Sequence, residues 1–401
     1  MPLCGRMEAL SLINLPIEVL DLIFQDLQLS DKLSLAQSHT NLQGAFNLNI
    51  KNKYEHIDPR VLPVQYWSTV LPLCGHKILK VDELFEPNDH VPIRLIDRHC
   101  LNLESIQLNV KNRNIKDIIS LLRNRKTLRS VHLYFYGDCK STEQIMYALK
   151  GLPQLNNLLL YGIEENQVPH VQDLESLEFL SLSMNRKCGS SNIFEICSRL
   201  KFLQTLYISN FNIPLKKTAP QDLDFPNLET LDICYCNIST ELPHFSKLKS
   251  MKFWRNSYFA RKQSLYHWIS RHANSLEALE MSCTAEAEFR EIDFLEVLKE
   301  CKKLSKFRLH NRITNLFLAP LIHVLLKNGR SMENRFYLDC KNYEELNVAR
   351  WSIPNSDVVH LRNVNWGTPE SKKTDRPSRL DLSRITSQCC NYFCILSKLC
   401  T

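Results

Sequence analysis

Residues 177–208 read LEFLSLSMNRKCGSSNIFEICSRLKFLQTLYI, and this stretch contains one short pattern twice. A leucine opens each copy and apolar residues follow at its fourth and sixth positions, so LEFLSL at Leu177 returns as LQTLYI at Leu203. Apolar residues at every second position predict a short β-strand with one buried face. Because the pattern returns at a spacing of about 25 residues, it indicates a repeat architecture.

The same pattern fills the middle of the chain, with Ile, Val, Phe or Met replacing some leucines. Its copies start at Leu103, Leu128, Leu155, Leu177, Leu203, Leu228, Leu248, Leu276 and Leu304. Weaker copies contain Leu79 and Val81, Phe336 and Leu338, and Val359 and Leu361. The mean spacing lies inside the 20–29-residue range of leucine-rich repeats. Since one such strand cannot bury its apolar face alone, the copies are expected to stack into a parallel sheet.

Helical segments are expected between the strands. Ser141, Thr142, Glu143 and Gln144 form a capping box, and the helix that follows should stop at Gly151. The segment 291–300 should also be helical, with one apolar face made of Ile292, Leu295 and Leu298 or Phe294. The repeating unit is therefore strand, turn and helix. The predicted fold class is α/β, an irregular horseshoe-shaped solenoid with its parallel sheet on the concave side.

The turn after each strand is less regular than the strand itself. The ninth position of the repeat prefers Asn or Cys, whose side chain can bond to the turning backbone. Asn185, Cys236 and Asn256 occupy this position, whereas the other six strong copies carry other residues there. Several turns are therefore expected to satisfy their backbone in another way.

The composition excludes several classes of enzyme. The chain has 401 residues but only 9 glycines, and the closest pair is Gly151 and Gly162. Glycine-rich dinucleotide loops, phosphate-binding P-loops and nucleophile elbows all need two glycines within six residues. No His is followed by Glu, and no C-x-x-C pair occurs among the 15 cysteines. We therefore expect a protein without catalytic residues, bound metal or cofactor.

The remaining composition favours a protein of the cytoplasm or nucleus. The first twenty residues lack a secretory signal and no apolar run approaches the length of a membrane span. The 15 cysteines are then expected to be reduced thiols. The net charge of +7 comes without a block of Lys and Arg, so nucleic-acid binding is not expected.

The N-terminal segment carries a different pattern. Residues 12–46 read LINLPIEVLDLIFQDLQLSDKLSLAQSHTNLQGAF. Pro16 suits a first helical turn, and Glu18 suits the positive end of the helix dipole. Apolar residues then recur at helical spacing, and a second helical segment is expected to start near Ser30 and Asp31.

This segment resembles an F-box, whose pattern runs Leu-Pro-x-Glu, two hydrophobic residues, x-x-Ile-Phe-x-x-Leu. The matching residues are Leu15, Pro16, Glu18, Val19, Leu20, Ile23, Phe24 and Leu27. The second half departs from the pattern, because Gln37-Ser38-His39 and Gly44-Ala45-Phe46 stand where the family has Val-Cys and a later Trp or Arg. With the repeats, the chain resembles the F-box/leucine-rich-repeat proteins over about residues 12–365.

The resemblance implies a substrate receptor of a Skp–cullin–F-box ubiquitin ligase. The F-box would bind the Skp adaptor, and through it the cullin and RING subunits, while the repeats would hold a target protein for ubiquitination. The adaptor-binding residues implied by the match are Leu15, Pro16, Leu20, Ile23, Phe24 and Leu27. The alternative is a leucine-rich-repeat interaction scaffold without ubiquitin linkage, in which these helices only cap the first repeat.

Target binding is expected on the side of the sheet that faces away from the leucine core. Positions three, five, seven and eight of each repeat point there, and aromatic residues and Arg are common interface anchors. The predicted stripe consists of Tyr134, Tyr161, Tyr207, Tyr235 and Trp254, with a basic flank of Lys252, Arg255, Lys306 and Arg308. The flank favours an acidic or phosphorylated target. Alternatively, the aromatics pair across strands or face the C-terminal tail folded into the cavity.

These patterns divide the chain into four regions. They are an F-box at 12–50, a linker or N-terminal cap at 51–75, leucine-rich repeats at 76–365, and a C-terminal tail at 366–401. The tail is first polar and then rich in cysteine, and its composition predicts partial disorder.

Overall fold

The computed structural model describes residues 12–49, 55–59, 62–82, 90–136, 142–185, 190–214, 223–239, 241–258, 262–282 and 289–363. The chain forms two compact units, which we call the N-terminal unit, through Leu276, and the C-terminal unit, from Glu277. The repeats predicted over 76–365 are thus divided between two units. The predicted tail at 366–401 lies outside the described residues.

The described helices and strands alternate along most of the chain. The helices are α1 (Ile17–Asp26), α2 (Leu29–Ser38), α3 (Thr40–Asn49), α4 (Trp67–Cys74), α5 (His90–His99), α6 (Ile115–Asn124), α7 (Thr142–Lys150), α8 (Ile193–Cys197), α9 (Lys262–Ser270), α10 (Glu291–Glu300), α11 (Leu318–Lys327) and α12 (Tyr343–Arg350). The strands are β1 (His56–Ile57), β2 (Lys80–Val81), β3 (Ser105–Val110), β4 (Ser130–Phe135), β5 (Asn157–Ile163), β6 (Phe179–Met184), β7 (Thr205–Ser209), β8 (Asn212–Ile213), β9 (Thr230–Cys234), β10 (Asn237–Ile238), β11 (Ser250–Trp254), β12 (Ser257–Tyr258), β13 (Ala278–Ser282), β14 (Lys306–Leu309), β15 (Phe336–Cys340) and β16 (Val359–Asn363).

A parallel sheet with strand order β1-β2-β3-β4-β5-β6-β7-β9-β11 runs through the N-terminal unit. Its register aligns the apolar positions of successive repeats, and Leu108, Leu133 and Leu160 form part of one such row. These three leucines are each at most 1% exposed. Every strong and weak copy of the pattern forms a strand of a parallel sheet, which confirms the predicted α/β fold.

The sheet begins earlier than predicted. Strand β1 pairs in parallel with β2, although its residues lie in the segment expected to be a linker or cap at 51–75. Helix α4 follows within the same segment and buries Trp67, whose indole N–H donates to the Leu62 carbonyl at 2.9 Å. Strand β2 is equally short but coincides with the weak copy at Leu79 and Val81, whereas β1 lies outside every copy of the pattern that we identified.

Two predicted helices are confirmed, and one of their faces is corrected. Helix α7 ends at Lys150, directly before Gly151. Helix α10 spans 291–300, but it buries Phe294, Val297 and Leu298 and leaves Ile292 75% exposed. The buried three follow i, i+3 and i+4 spacing, so they share one face, whereas Ile292 lies two residues before Phe294 and points elsewhere.

A short strand follows each of β7, β9 and β11. In the described residues there, β8, β10 and β12 form a small parallel sheet beside the turns. The Asn256 side chain closes one of these turns, because its Oδ1 accepts from the Cys236 N–H at 2.8 Å and its Nδ2 donates to the Ile233 carbonyl at 2.7 Å. The Cys236 Sγ accepts from the Phe211 N–H at 3.4 Å. The roles predicted for Cys236 and Asn256 in the turns are confirmed.

Helices α1, α2 and α3 form a small packed group at the N-terminus. The rings of Phe24 and Phe46 lie 5.9 Å apart at their centroids, and both side chains are fully buried. The Asn49 amide donates to the Asp21 carboxylate at 2.9 Å, joining α3 to α1. The Lys77 ammonium donates to the Asn47 carbonyl at 2.7 Å, so the group is tied to the start of the repeats.

The C-terminal unit repeats the same plan with four parallel strands, β13, β14, β15 and β16. Phe294 of α10 stacks on Phe307 of β14 with ring centroids 4.0 Å apart. No helix in the described parts of either unit is long and apolar enough to cross a membrane.

Candidate functional site

The structure separates the residues of the predicted adaptor surface into two groups. Leu20 is 2% exposed and Phe24 is fully buried, so both pack inside the three-helix group and neither offers a contact surface in this conformation. Leu15, Ile23 and Leu27 are half-buried, and Pro16 is exposed. The sequence match could not distinguish the residues that hold the helices together from those that face outward.

The outward apolar surface of these helices lies on residues outside the predicted set. Leu22 is 60% exposed, Ile17 43% and Val19 40%, all on α1, and Leu48 of α3 is 44% exposed. Large exposed apolar side chains that adjoin one another mark a contact site more often than isolated ones do, and Val19 and Leu22, three residues apart on α1, share one side of the helix. We call Ile17, Val19, Leu22 and Leu48 the helical apolar surface. This surface could have been found in the sequence, because α1 is a short helix with apolar residues on more than one side.

The predicted aromatic stripe is broken into parts by the register of the sheet. Position seven of the repeats reads Asn109, Tyr134, Tyr161, Ser183, Ser209, Cys234 and Trp254 from β3 to β11. Tyr134 and Tyr161 lie side by side, with ring centroids 6.1 Å apart. Three small side chains then separate Tyr161 from Trp254. Tyr207 belongs to position five and packs against Phe179 with ring centroids 5.3 Å apart, so the five aromatic residues do not form one continuous row. Their role in target binding stays a prediction.

Four of the predicted target-binding residues do come together at β9 and β11. The Trp254 indole N–H donates to the Tyr235 hydroxyl at 3.3 Å. The Lys252 ammonium lies 5.4 Å from the centroid of the Trp254 ring, and the Arg255 guanidinium lies 6.0 Å from that of Tyr235. We call Tyr235, Lys252, Trp254 and Arg255 the aromatic–cation cluster. Trp254 is only 7% exposed, so it forms the buried part of the cluster. Arg255 is exposed and forms its outer part.

The backbone of this cluster adopts an uncommon conformation. Tyr235 has φ 53° and Arg255 has φ 50°, and Asn210 at the same place in the preceding repeat has φ 62°. Left-handed backbone costs a bulky residue about 1–2 kcal/mol. The Tyr235 N–H donates to the Trp254 carbonyl at 2.8 Å, which holds the turn in place. Such strained residues concentrate at binding sites.

Lys306 and Arg308 belong to the C-terminal unit and not to this cluster. Arg308 is also no free cation, because its Nη1 donates to Glu280 at 3.3 Å and its Nε to Asp339 at 3.1 Å. The four residues of the predicted basic flank are therefore divided between the two units, with Lys252 and Arg255 in the N-terminal unit and Lys306 and Arg308 in the C-terminal unit. Glu280 and Asp339 were not predicted, since their pairing depends on strand register and not on spacing along the chain.

The buried titratable side chains have structural surroundings. Burial raises the pKa of the thiols of Cys74, Cys100, Cys236, Cys301 and Cys340 to about 12, which makes them poor nucleophiles. The His272 Nε2 accepts from the Phe245 N–H at 3.1 Å and its Nδ1 lies 3.0 Å from the Trp268 carbonyl. Within the described ranges, no group of three or more His, Cys, Asp or Glu could hold a metal ion.

Comparisons with known proteins find similarity among solved structures. The sequence matches no protein-family model and no curated protein. A leucine-rich-repeat-containing protein from Legionella pneumophila, LegL7, resembles the structure with a TM-score of 0.42 and 14% identity, over 70% of this chain and 90% of that chain. The assignment to the leucine-rich-repeat class rests on this chain's own geometry. Its strands recur about every 25 residues and pair in parallel register, which is the α/β arrangement of leucine-rich repeats.

Proposed function

We propose that the protein is the target-recognition subunit of a Skp–cullin–F-box ubiquitin ligase. Helices α1, α2 and α3 would bind the Skp adaptor, and the outward face of the repeats would bind the target protein. This assignment places the protein in the cytoplasm or nucleus. The coarser function, a protein-interaction scaffold, is common to this proposal and its alternative.

The observation that carries the proposal is the helical apolar surface. The first three helices bury their own small core around Phe24 and Phe46, yet α1 still presents Leu22 at 60% exposure. An apolar surface costs solubility unless a partner covers it. The residues that form these helices are the ones that resemble an F-box, which supports the Skp adaptor as that partner.

The proposal requires no catalytic residue in this chain. A ligase receptor accelerates ubiquitin transfer by holding the target near a conjugating enzyme, which is catalysis through proximity and orientation. The aromatic–cation cluster supports the second half of the role, because Trp, Tyr and Arg are the most frequent energetic anchors of protein interfaces. The chemistry of transfer would belong to the other subunits.

Replacing Leu22 with Asp should abolish capture of the Skp adaptor. The change places a charge at the most exposed of these four apolar side chains and leaves Phe24 and Phe46 in place, so the helices should still fold. Capture of the purified adaptor by the immobilised full chain measures the effect, and we expect at least a hundredfold loss, in the range of an interface hot spot.

The matched control is Leu316→Asp, which changes a leucine that is 85% exposed in the C-terminal unit. This variant should capture the adaptor as the wild type does, and circular dichroism should show both variants folded. Failure of the wild-type chain to capture the adaptor would instead support the scaffold without ubiquitin linkage.

A further inference from the structure

A ladder of alternating charges crosses the four strands of the C-terminal unit. Glu280, Arg308, Asp339 and Arg362 lie directly opposite one another in register from β13 to β16. Asp339 sits between two cations, since Arg362 donates to it from Nε at 2.7 Å and from Nη2 at 3.2 Å while Arg308 donates from Nε at 3.1 Å. The ladder therefore fixes both guanidinium groups in position.

The acidic members of the ladder are more buried than the basic ones. The Asp339 side chain is 4% exposed and that of Glu280 is 19% exposed, whereas those of Arg308 and Arg362 are 37% and 41% exposed. These bonds orient both guanidinium groups. Because the two carboxylates offset the two arginine charges, the net positive charge of the surface comes from the neighbouring Lys306. The Nη2 of Arg308 and the Nη1 of Arg362 take no part in these bonds, so each half-exposed guanidinium keeps N–H donors for a further acceptor.

A second row beside the ladder adds to the positive surface. Lys306, Tyr337 and His360 lie opposite one another in register on β14, β15 and β16. Lys306 is exposed, and Tyr337 is 41% exposed with the Arg362 guanidinium 5.1 Å from its ring centroid. Partial desolvation beside its neighbours, and then the charges of Arg308 and Arg362, lower the pKa of Lys306, against the opposing effect of Asp339 and Glu280.

We propose that this surface, formed by Lys306, Arg308, Tyr337, His360 and Arg362, binds an acidic segment of a partner protein through its carboxylates. Oriented guanidinium groups match the planar, bidentate geometry of a carboxylate. Three cations over two carboxylates give a small local excess of positive charge, which suits a short acidic segment better than the long polyanion of a nucleic acid. The inference deepens the proposed function and rests on it, because the acidic segment would belong to the target.

Binding of a fluorescein-labelled octaglutamate peptide to the full chain tests the surface, with labelled octaglutamine as the neutral probe. The chain should bind octaglutamate and should not bind octaglutamine. Its binding of octaglutamate should be weaker at about 200 mM than at about 20 mM NaCl, because salt screens exposed charges. Lys306→Glu should weaken binding about tenfold, because it reverses a charge at the edge of the site and leaves the ladder intact.

The matched control is Lys303→Glu, which reverses another exposed lysine three residues earlier, before β14 begins. It should bind octaglutamate as the wild type does. The inference is overturned if the wild-type chain does not bind octaglutamate, if Lys306→Glu binds it equally well, or if Lys303→Glu loses as much. Capture of the Skp adaptor, measured on the same samples, separates failure of this inference from failure of the proposed function.

Discussion

Replacing Gly162 with Ala should destabilise the N-terminal unit by about 3 kcal/mol, the sum of a left-handed backbone and an overpacked contact. Gly162 has φ +75° within β5, where the register against β6 shifts. A Cβ there would lie 2.5 Å from the Phe135 carbonyl oxygen of the neighbouring strand. Neither the backbone nor the paired strand can move without breaking the sheet. The shift of the urea midpoint measures the loss.

Gly44→Ala is the matched control for this substitution. Gly44 lies inside α3, where an added Cβ meets no atom within 4 Å. Because Ala favours helix over Gly by about 1 kcal/mol, this variant should be as stable as the wild type or more stable. Equal urea midpoints for Gly162→Ala and the wild type would show that the bulge in β5 tolerates a side chain.

Acid should destabilise the N-terminal unit through two buried histidines. Burial lowers the pKa of His132 to about 4 and that of His272 to about 4, from an ordinary value of 6.5. The unfolded chain then binds these protons more tightly than the folded one, so stability is complete above pH 6.5 and falls as the pH approaches 4. At pH 5, about 1.5 units below the ordinary histidine pKa, protonation of the two histidines in the unfolded chain should lower the free energy of unfolding by about 4 kcal/mol.

Urea unfolding at intervals between pH 7.5 and pH 5 measures this dependence, in a range where carboxyl groups of ordinary pKa stay ionised. The control is His323→Gln, which removes an exposed histidine of α11 and should leave the pH dependence unchanged. A urea midpoint that stays constant from pH 7.5 to pH 5 would contradict the account of His132 and His272 as neutral, buried side chains.

The strands were predictable because the leucine pattern reports burial directly. Leu133 and Leu160 occupy corresponding positions of two copies, and both lie in the core. The face of a helix is harder to predict from one short segment, and Ile292 of α10 therefore points to solvent against expectation. The strand His56–Ile57 lies outside every copy of the pattern, and its place in the sheet depends on pairing with β2.

The candidate sites were only partly predictable, for a related reason. Side chains at equivalent repeat positions meet only when their strands are neighbours, so Tyr134 contacts Tyr161 while Trp254 lies four strands away from Tyr161. The pairing of Arg308 with Asp339 also needs the observed register. At the N-terminus, the segment that resembles an F-box forms three helices. Its exposed apolar residues are not the ones that the resemblance implies for adaptor binding, because Leu20 and Phe24 pack in the helical core.

Hydrogen exchange of the full chain, with and without the purified Skp adaptor, tests the central claim most directly. The account predicts that the adaptor slows exchange in residues 12–49, where the helical apolar surface lies, and leaves β3–β11 and the C-terminal unit unchanged. Amides covered by a partner exchange more slowly because opening then requires dissociation. Unchanged exchange throughout 12–49 at saturating adaptor, or protection confined to the repeats, would contradict the assignment of these helices as the adaptor-binding element.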